Sequence, residues 1–437
     1  MTDNVQPFCI GVAGLGTVGA GLVKLLQDNQ NIIAQRVHRP IKIISVIASN
    51  KNKDRGVDLS AYDWADSLSA MANDDRIDAV VEMIGGSEGQ AKDFVEQALL
   101  NGKHVITANK ALLAHHGFEL AKLAEQNNVT IAYEAAVAGG IPIIKTMREG
   151  LAGNNITGVY GILNGTCNYI LTEMRETGRS FGDVLKDAQE KGYAEADPSF
   201  DVDGIDAAHK LVLLGALAFG VIPDFDSLEI EGISHLTLKD IEQADDLGYR
   251  IKLIGMAQVC DVEGGKDFVQ TMAPCFVPKN SAIGQVEGVF NAVLTQGDFV
   301  DTTMMEGRGA GAGPTASSVM ADVIDLAAGR ISPIFGINTN KLHKVEWKGV
   351  ETLDCQCYIH LHVKDEPGVI ADITAYLKEQ NVSIDSLIQK GHEDDGTASV
   401  VIVTHKANFA EIQKAVDYVQ NLPSVVNKPT VIRIEDL

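Results

Sequence analysis

Residues 195–210 carry the side chains best suited to chemistry. The segment holds five carboxylates and ends on a single lysine, Lys210. Asp206 and Lys210 are four residues apart, so on a helix their side chains share one face. Because burial and neighbouring charges move the pKa of a lysine toward working pH, Lys210 is a candidate proton carrier. The alternative is a solvated, acidic helix start, a position that Asp and Glu favour.

A glycine-rich turn near the start of the chain predicts a dinucleotide site. It joins a short apolar strand, Phe8–Ala13, to a helix predicted over residues 20–26. Gly14 permits the tight turn, Gly16 lets the backbone approach a pyrophosphate, and Gly19 allows close helix packing. The phosphates would lie at the positive N-terminus of the helix. The residues assigned to this site are Gly14, Leu15, Gly16, Thr17, Val18 and Gly19.

The end of the second predicted strand bears on the choice of cofactor. This strand covers residues 41–48 and runs into the sequence SNKNK, without the Asp or Glu that holds the ribose 2′-hydroxyl of NAD. Hydroxyl, amide and cationic side chains suit a 2′-phosphate, so Ser49 and Lys51 favour NADP(H). A solvated loop is the alternative reading, and NAD(H) stays open.

Strands and helices continue to alternate along the next part of the chain. Residues 78–84, His104–Thr107 and 131–133 read as strands, with a helix at Gln90–Leu100. This alternation predicts a parallel, doubly wound sheet. Because ligands bind beyond the carboxyl ends of such strands, Lys110 is expected to face the nicotinamide side of the cleft. A lysine at the start of a surface helix is the alternative.

Three further segments combine small residues with polar groups. Residues 134–142 join Glu134 to a loop whose carbonyl oxygens suit a hard cation, although a hinge without an ion fits equally well. Asn164 opens a turn before a helix, where it either caps the helix or binds a carboxylate. Residues 307–314 form a second glycine-rich turn before a helix predicted over 315–328. There the chain is expected to return to the nucleotide domain, with the small residues approaching the nicotinamide or packing tightly.

The composition limits the classes of partner. A length of 437 residues allows two or three domains, and a net charge of −23 argues against nucleic acid or an anionic membrane. No signal peptide is recognisable, and the apolar run 211–222, expected to stop at Pro223, is too short to span a bilayer. Six cysteines without a CxxC pair suit free thiols in a reducing cytoplasm. Cys355 and Cys357 are expected to share one buried face of a strand rather than a metal.

The motifs occur in an order that resembles the homoserine dehydrogenase family. They are the glycine fingerprint, TANKALL, EAAVAGGIP, ILNGTCNYIL and EADPSFDVDGIDAAHK, and the likeness continues through GRGAGAGPTASSVMADV at residues 307–323. The resemblance implies NAD(P)-dependent interconversion of L-aspartate 4-semialdehyde and L-homoserine, on the route to threonine and methionine. It also implies a homodimer formed through the middle domain.

The same resemblance implies roles for individual residues. The proton donor falls on Lys210 and the second active-site lysine on Lys110. The substrate-binding acid falls on Glu195, and Asp201 and Asp206 match carboxylates close to the substrate and Lys210. A sodium site is implied at Glu134 with the backbone of Val137, Gly139 and Ile141, and contact between Gly311 and the cofactor is favoured. The chemistry agrees, because hydride addition to an aldehyde leaves an alkoxide that needs a proton, and a substrate ammonium needs a carboxylate.

The C-terminal part has a different pattern, βαββαβ. Its strands are predicted at 358–363, 382–389, 398–404 and 425–434, its helices at 370–380 and 408–421, and an acidic turn at 391–396. This order and the DEPGV turn resemble the ACT domain, a small-molecule sensor that commonly pairs across chains. The implied regulatory ligand lies at Asp365, Gly368 and Val369, where a helix N-terminus can receive a carboxylate. The histidines His360, His362 and His392 lack a metal-ligand pattern.

Together these features predict an α/β enzyme of three parts. The expected parts are a Rossmann-type NAD(P)-binding domain (1–133 and about 307–345), an α+β catalytic and dimerisation domain (134–306) and an ACT regulatory domain (350–437). Threonine is the expected inhibitor, and the oligomer is expected to be a homodimer or a dimer of dimers. No kinase-like segment precedes the dehydrogenase motifs, so the chain is expected to be monofunctional. The alternatives are a ligand sensor that has lost its chemistry, or a dehydrogenase for another amino-acid aldehyde or hydroxy acid.

Overall fold

A parallel sheet forms the first part of the chain in the computed structural model, which describes residues 6–262, 265–390 and 396–437. Its strands are β1 (Phe8–Ala13), β2 (Ile41–Ile47), β3 (Asp63–Trp64), β4 (Ala79–Glu82), β5 (His104–Thr107) and β6 (Ile131–Ala132). The helices between them are α1 (Thr17–Val37), α2 (Leu68–Ala72), α3 (Gln90–Leu100) and α4 (Lys110–Gln126). The strand order is β3-β2-β1-β4-β5-β6, which confirms the doubly wound sheet. The order reverses between β1 and β4, where sheets of this kind bind ligands.

Helix α1 is much longer than its sequence signal. It was predicted to end at residue 26 but continues to Val37. The segment QDNQN at 27–31 is polar and reads as a loop, yet it forms the solvent face of the helix. Leu22, Leu26, Ile33 and Val37 are buried at spacings that fit a 3.6-residue period. The apolar stripe therefore continues through the polar segment.

The middle part builds a mixed sheet covered by helices. Its elements are α5 (Ile143–Lys145), β7 (Ile156–Ile162), α6 (Gly165–Thr177), α7 (Phe181–Glu190), α8 (Ser199–Val202), α9 (Ile205–Phe219), β8 (Glu229–Ile230), α10 (Leu238–Asp246), β9 (Tyr249–Val262), β10 (Gly265–Pro278), β11 (Phe290–Gly297), β12 (Asp301–Arg308), α11 (Ala312–Ala327) and β13 (Trp347–Lys348). Helix α11 returns to the first sheet, since Val319 and Val323 share a core with Ile10 and Leu22.

Helix α9 is the buried helix expected from the apolar run, but its end was predicted wrongly. It stops at Phe219 because Gly220 takes the left-handed conformation, φ +64°, three residues before Pro223. Glycine adopts this conformation without the penalty that a Cβ brings, so it ends the helix first. The other end begins after Gly204, φ +84°, and the first turn carries Asp206.

The C-terminal part has the predicted βαββαβ order. Its elements are β14 (Asp354–Lys364), α12 (Val369–Glu379), β15 (Ile384–Lys390), β16 (Thr397–Thr404), a short additional β17 (Ala407–Asn408), α13 (Phe409–Val419) and β18 (Thr430–Ile434). Cys355 and Cys357 are buried in its core, as predicted. The acidic turn with His392 lies largely outside the described residues.

Strand β18 joins the C-terminal part to the middle part. It pairs antiparallel with β14, and on its other side it pairs parallel with β10, where Cys275 is opposite Arg433. One continuous sheet therefore runs from the middle part into the C-terminal part, in the order β12-β11-β7-β9-β10-β18-β14-β16-β15. Across the described ranges, no helix is both long and apolar enough to cross a membrane.

Candidate active site and cofactor site

The glycine turn after β1 leaves the N-terminus of α1 open. Gly16 precedes the helix, and no side chain caps its first turn, so the backbone N–H groups there can bind an anion. A Cβ on Gly16 would meet no atom within 4 Å, whereas one on Gly19 would lie 2.0 Å from the carbonyl oxygen of Gly14. Gly14 has φ +101°, which favours glycine. Gly19 is thus needed for packing, and Gly16 leaves space for a ligand.

A cavity of about 730 Å³ opens beside this turn. Its wall includes Gly14, Gly16 and Ser49, together with Lys53 and Arg55. The Arg55 guanidinium donates to the carbonyl oxygens of Leu15 (2.9 Å) and Lys53 (2.6 Å) and also bonds to that of Asn50. Arg55 was not expected at this site from the sequence, because it lies beyond the SNKNK segment that follows β2. Lys51 instead lies over the ring of Trp64, with Nζ 5.2 Å from the centroid.

A second cavity of about 230 Å³ continues past the ends of β4 and β5. Glu82 is fully buried there and accepts hydrogen bonds from the backbone N–H of Ile84 (2.6 Å) and the hydroxyl of Thr107 (2.6 Å). Asn109 caps α4 through the N–H of Leu112 (3.1 Å). These bonds hold the two loops that border the cavity and set the position of Lys110, the first residue of α4.

Lys110 and Lys210 meet at one carboxylate. Lys210 Nζ donates to Asp206 Oδ2 (2.6 Å) and to the carbonyl oxygen of Leu163 (2.7 Å). Lys110 Nζ lies 3.1 Å from the other oxygen, Asp206 Oδ1. Asp206 and Lys210 are both 8% exposed. The predicted pair on α9 and the lysine at the start of α4 therefore form one cluster.

Asn164 connects the second predicted carboxylate to this cluster. Its Nδ2 donates to Asp201 Oδ1 and to Asp206 Oδ2, both at 2.8 Å. Its Oδ1 accepts the backbone N–H of Cys167 (2.8 Å) and so caps α6. The two uses that the sequence left open, capping and contact with a carboxylate, occur in the same side chain.

The two carboxylates differ in their electrostatics. Burial alone would raise the pKa of Asp206, but Lys210 and Lys110 hold that pKa well below its usual range. The pKa of Asp201 is raised, chiefly by burial, although its bond from Asn164 acts the other way. Asp206 is thus a permanent anion between two ammonium groups.

Glu195 is the predicted site residue that lies apart from the cluster. It is exposed in the loop between α7 and α8, where Gln189 Nε2 donates to its carbonyl oxygen (3.0 Å). Among the ion pairs of the described residues, none joins its carboxylate to Lys110 or Lys210. Phe200, five residues further on, does reach the cluster, since its ring centroid lies 5.8 Å from Lys110 Nζ.

The loop with the predicted sodium ligands is buried against the turn before α11. The two oxygens of Glu134 accept the N–H groups of Ile144 and Lys145, each at 2.8 Å, and burial raises its pKa to about 7. The carbonyl of Gly139 accepts from the hydroxyl of Ser318 (2.5 Å), and Ile141 accepts from Ile143 (2.8 Å). Each carbonyl oxygen keeps a second lone pair, so the main chain could still hold a cation, with Glu134 fixing the loop.

The predicted regulatory turn precedes α12. Gly368 has φ +98°, and no side chain caps the helix that starts at Val369. The N–H of Asp365 donates to the carbonyl oxygen of Gly396 (3.0 Å). His360 is used elsewhere, since its Nδ1 lies 3.1 Å from Asp240 on α10, at the junction with the middle part.

Comparison with known proteins decides the family. Residues 142–324 match the model of homoserine dehydrogenase, residues 14–134 that of the homoserine dehydrogenase NAD binding domain, and residues 358–420 that of the ACT domain. The homoserine dehydrogenase of Neisseria gonorrhoeae is 44% identical over 99% of this chain and 100% of its own length. The crystal structure of a homoserine dehydrogenase from Thiobacillus denitrificans has a TM-score of 0.93 at 40% identity, with 99% of each chain covered. A hyperthermophilic archaeal homoserine dehydrogenase mutant in complex with NADPH has a TM-score of 0.62 at 26% identity, covering 75% of this chain and 99% of its own.

The chain belongs to the homoserine dehydrogenase family. It is an NAD(P)-dependent oxidoreductase that acts on a CH–OH group and interconverts L-homoserine and L-aspartate 4-semialdehyde. Its nicotinamide-binding domain and its ACT domain are both confirmed.

The structure adds three polar residues that were not expected from the sequence. Glu82 and Asn109 lie at strand ends that were singled out, but nothing local shows their partners. The third is Arg55, which reaches the cavity because the loop after β2 folds back on the glycine turn.

Proposed function

We propose that Lys210 is the proton donor of the homoserine dehydrogenase reaction and that Lys110 stabilises the developing negative charge. A bound nicotinamide cofactor supplies the hydride, and the alkoxide left on the substrate then needs a proton. Asp206 orients both lysines. The observation that supports these roles is the single carboxylate shared between Lys210 (2.6 Å) and Lys110 (3.1 Å).

Substrate binding is assigned to Lys110, Glu195 and Asp201. A substrate ammonium favours carboxylates, and Asp201 lies beside the cluster through Asn164 (2.8 Å). Glu195 is exposed, so its carboxylate is accessible to a substrate ammonium.

The test replaces Lys210 by methionine, which keeps the length of the side chain and removes the charge. We expect kcat for NADPH-dependent reduction of aspartate semialdehyde to fall by about 10²- to 10⁴-fold, the usual contribution of a positioned acid. Lys24→Met is the control, since Lys24 is exposed on α1 and pairs with Asp28 (3.1 Å). Near-normal turnover in Lys210→Met would remove Lys210 from this role.

Cofactor binding is assigned to the glycine turn, the loop after β2, Lys110 and Gly311. NADP(H) is the preferred cofactor over NAD(H). The cationic Lys53 and Arg55 on the cavity wall support a 2′-phosphate, and residues 48–53, directly after β2, contain no acid to hold a 2′-hydroxyl. The archaeal relative was solved with NADPH. The residues proposed are Gly14, Leu15, Gly16, Thr17, Val18, Gly19, Ser49, Lys51, Lys110 and Gly311.

A sodium ion is proposed at Glu134, Val137, Gly139 and Ile141. Carbonyl oxygens are the expected ligands, because Glu134 already accepts two N–H groups (2.8 Å each). The ion would hold the loop between α11 and the middle part. Dialysis into a sodium-free buffer with a bulky organic cation should lower the melting temperature, and added NaCl should restore it more than the same concentration of that organic chloride.

Threonine is proposed as a feedback inhibitor bound at Asp365, Gly368 and Val369. The ACT fold and the uncapped start of α12 support a carboxylate ligand there. Deletion of residues 350–437 would be a poor test, because it would strip β18 from β10. Initial rates against threonine concentration should show inhibition that Asp365→Ala weakens and that Asp354→Ala, an exposed control, does not. Rates that ignore millimolar threonine would exclude this ligand.

The domain limits and the assembly complete the proposal. The domains are 1–133 with about 307–345 for NAD(P), 134–306 for catalysis and dimerisation, and 350–437 for regulation. We propose a homodimer or a dimer of dimers in the cytoplasm, where the six free cysteines would stay reduced. Light scattering of the eluted protein would give the mass of the assembly.

A further inference from the structure

The two active-site lysines lie on helices that pack in different parts of the fold. Lys110 begins α4, which follows β5 of the parallel sheet, while Asp206 and Lys210 lie on α9 of the middle part. The 3.1 Å ion pair between Lys110 and Asp206 therefore depends on how these two helices are held together.

A pair of histidines joins the same two helices beside the cluster. His209 Nε2 lies 3.3 Å from His115 Nε2, and His115 is on α4 while His209 is next to Lys210 on α9. Two imidazole nitrogens can bond only if one donates and the other accepts, so the pair shares one proton across the contact.

Aromatic rings fix the orientation of His209. Its ring is stacked on Phe225 with a centroid distance of 4.3 Å and an interplanar angle of 8°, and on Phe200 at 5.7 Å and 28°. His115 also packs edge-on against Phe225, at 4.9 Å. With its ring stacked against two phenylalanines and only 4% of its surface exposed, His209 directs Nε2 at His115.

His209 stays uncharged in this setting. Burial, and then the nearby His115 and Lys110, lower its pKa to about 4. A neutral imidazole can bond to His115 without adding a third positive charge beside Lys110 and Lys210. The contact is therefore suited to holding the helices without disturbing the charge balance around Asp206.

We propose that His115 and His209 are positioning residues that hold α4 against α9, so that Lys110 and Lys210 reach the two oxygens of Asp206 together. This inference rests on the proposed roles of the lysines, which Lys210→Met tests separately. A misplacement of about 1 Å can cost up to 10²-fold in rate, so a loose pair of helices would be visible in kcat.

The experiment uses the full-length enzyme, four test variants and one control variant. His115→Ala and His209→Phe each break the bond, and Phe keeps the stack; we expect each to lower kcat by about tenfold, with KM for NADPH changed less than twofold. The double variant, His115→Ala with His209→Phe, should have a kcat no lower than that of the slower single variant, because the two residues act through one contact. His209→Gln, which can offer a polar atom near Nε2, should restore most of the lost rate.

His116→Ala is the matched control, since His116 is the next residue on α4 but pairs with Glu88 (2.5 Å). Its kcat should stay within twofold of the parent. Melting temperatures of all variants separate loss of fold from loss of position. Losses that multiply in the double variant, or an unchanged kcat in His115→Ala, would overturn the proposal. A kcat of His209→Gln as low as that of His209→Phe would also overturn it.

Discussion

Lys110 and Asp206 form an ion pair, Nζ to Oδ1 at 3.1 Å, between helices that belong to different sheets. The second oxygen of the same carboxylate bonds to Lys210 at 2.6 Å. The cluster exists only when the parallel sheet and the middle part are in contact. Asp206 therefore stabilises the contact between the two parts, and under the proposed mechanism it also orients both lysines.

Replacing Asp206 by asparagine should lower activity and change the response to acid. The lysines hold the folded-state pKa of Asp206 below its unfolded value, so its ionised form stabilises the folded chain above about pH 4, and this stabilisation is lost as the pH falls further. The parent should lose stability between pH 5 and pH 3 more steeply than Asp206→Asn, as measured by urea midpoints. At pH 7 the variant should be destabilised by about 3 kcal/mol, because the buried Lys210 and the partly buried Lys110 lose their partner.

Asp203→Asn is the control for this measurement. Asp203 is exposed in the same segment, so its substitution should leave both the rate and the acid dependence close to those of the parent. Equal steepness below pH 5 in the parent and in Asp206→Asn would show that the lysines do not stabilise the Asp206 carboxylate.

Gly16→Ala and Gly19→Ala should separate binding from folding. A Cβ on Gly16 meets no atom within 4 Å, so this variant should fold normally, yet the methyl group would occupy the space in which a pyrophosphate approaches. A Cβ on Gly19 would lie 2.0 Å from a carbonyl oxygen, so that variant should lose stability.

The measurements are thermal melting and NADPH binding by fluorescence. Gly16→Ala should keep the parent melting temperature while the Kd for NADPH rises at least about tenfold, or roughly 1.4 kcal/mol. Gly19→Ala should melt several degrees lower. Tight binding by Gly16→Ala would mean that the pyrophosphate does not approach this turn.

The candidate site residues could be predicted from the sequence more completely than the contacts that hold them in place. The strand Phe8–Ala13 and the helix Gln90–Leu100 were predicted with their observed bounds, because apolar runs and glycine turns mark them locally. Lys110 and Lys210 were expected to act together, and the structure brings them to one carboxylate.

Contacts between distant segments could not be read in the same way. Asn164 bridges two aspartates that follow it by 37 and 42 residues, and β18 pairs with β10 some 158 positions earlier. A strand pattern shows that β18 exists but does not name its neighbour. Such partners are set by tertiary packing, which leaves no local signal.

Arg55→Ala should weaken the binding of NADPH more than the binding of NADH. The guanidinium lies on the cavity wall next to Ser49 and Lys53, where a 2′-phosphate would find a cation. We expect KM for NADPH to rise about tenfold and KM for NADH to change less than twofold, since one charge-assisted bond contributes roughly 1.5 kcal/mol or more. Steady-state rates with both cofactors measure this, and Arg36→Ala, exposed on α1, is the control. Parallel changes for both cofactors would indicate that Arg55 supports the loop rather than the phosphate.

The free energy of unfolding should rise as the solution becomes alkaline, because the buried Lys252 then loses its proton. It is 1% exposed on β9, and its Nζ donates to the carbonyl oxygen of Val286 (2.5 Å) and to Asn168 Oδ1 (3.1 Å). Burial lowers its pKa to about 8, although Glu287 acts in the opposite direction.

Because the unfolded chain keeps this proton up to about pH 10.4, it binds more protons than the folded chain between pH 8 and that value, and stability rises with pH across this window. The difference between a pKa of about 8 in the folded chain and about 10.4 in the unfolded chain corresponds to roughly 3 kcal/mol. Urea midpoints of the parent and of Lys252→Met are therefore compared at pH 7.5, 9 and 10. Between pH 7.5 and pH 10, the midpoint of the parent should rise relative to that of the variant. Lys24→Met should follow the parent throughout, since Lys24 is exposed. Parallel curves for Lys252→Met and the parent would mean that Lys252 keeps its proton in the folded chain, with Glu287 and the carbonyl of Val286 outweighing its burial.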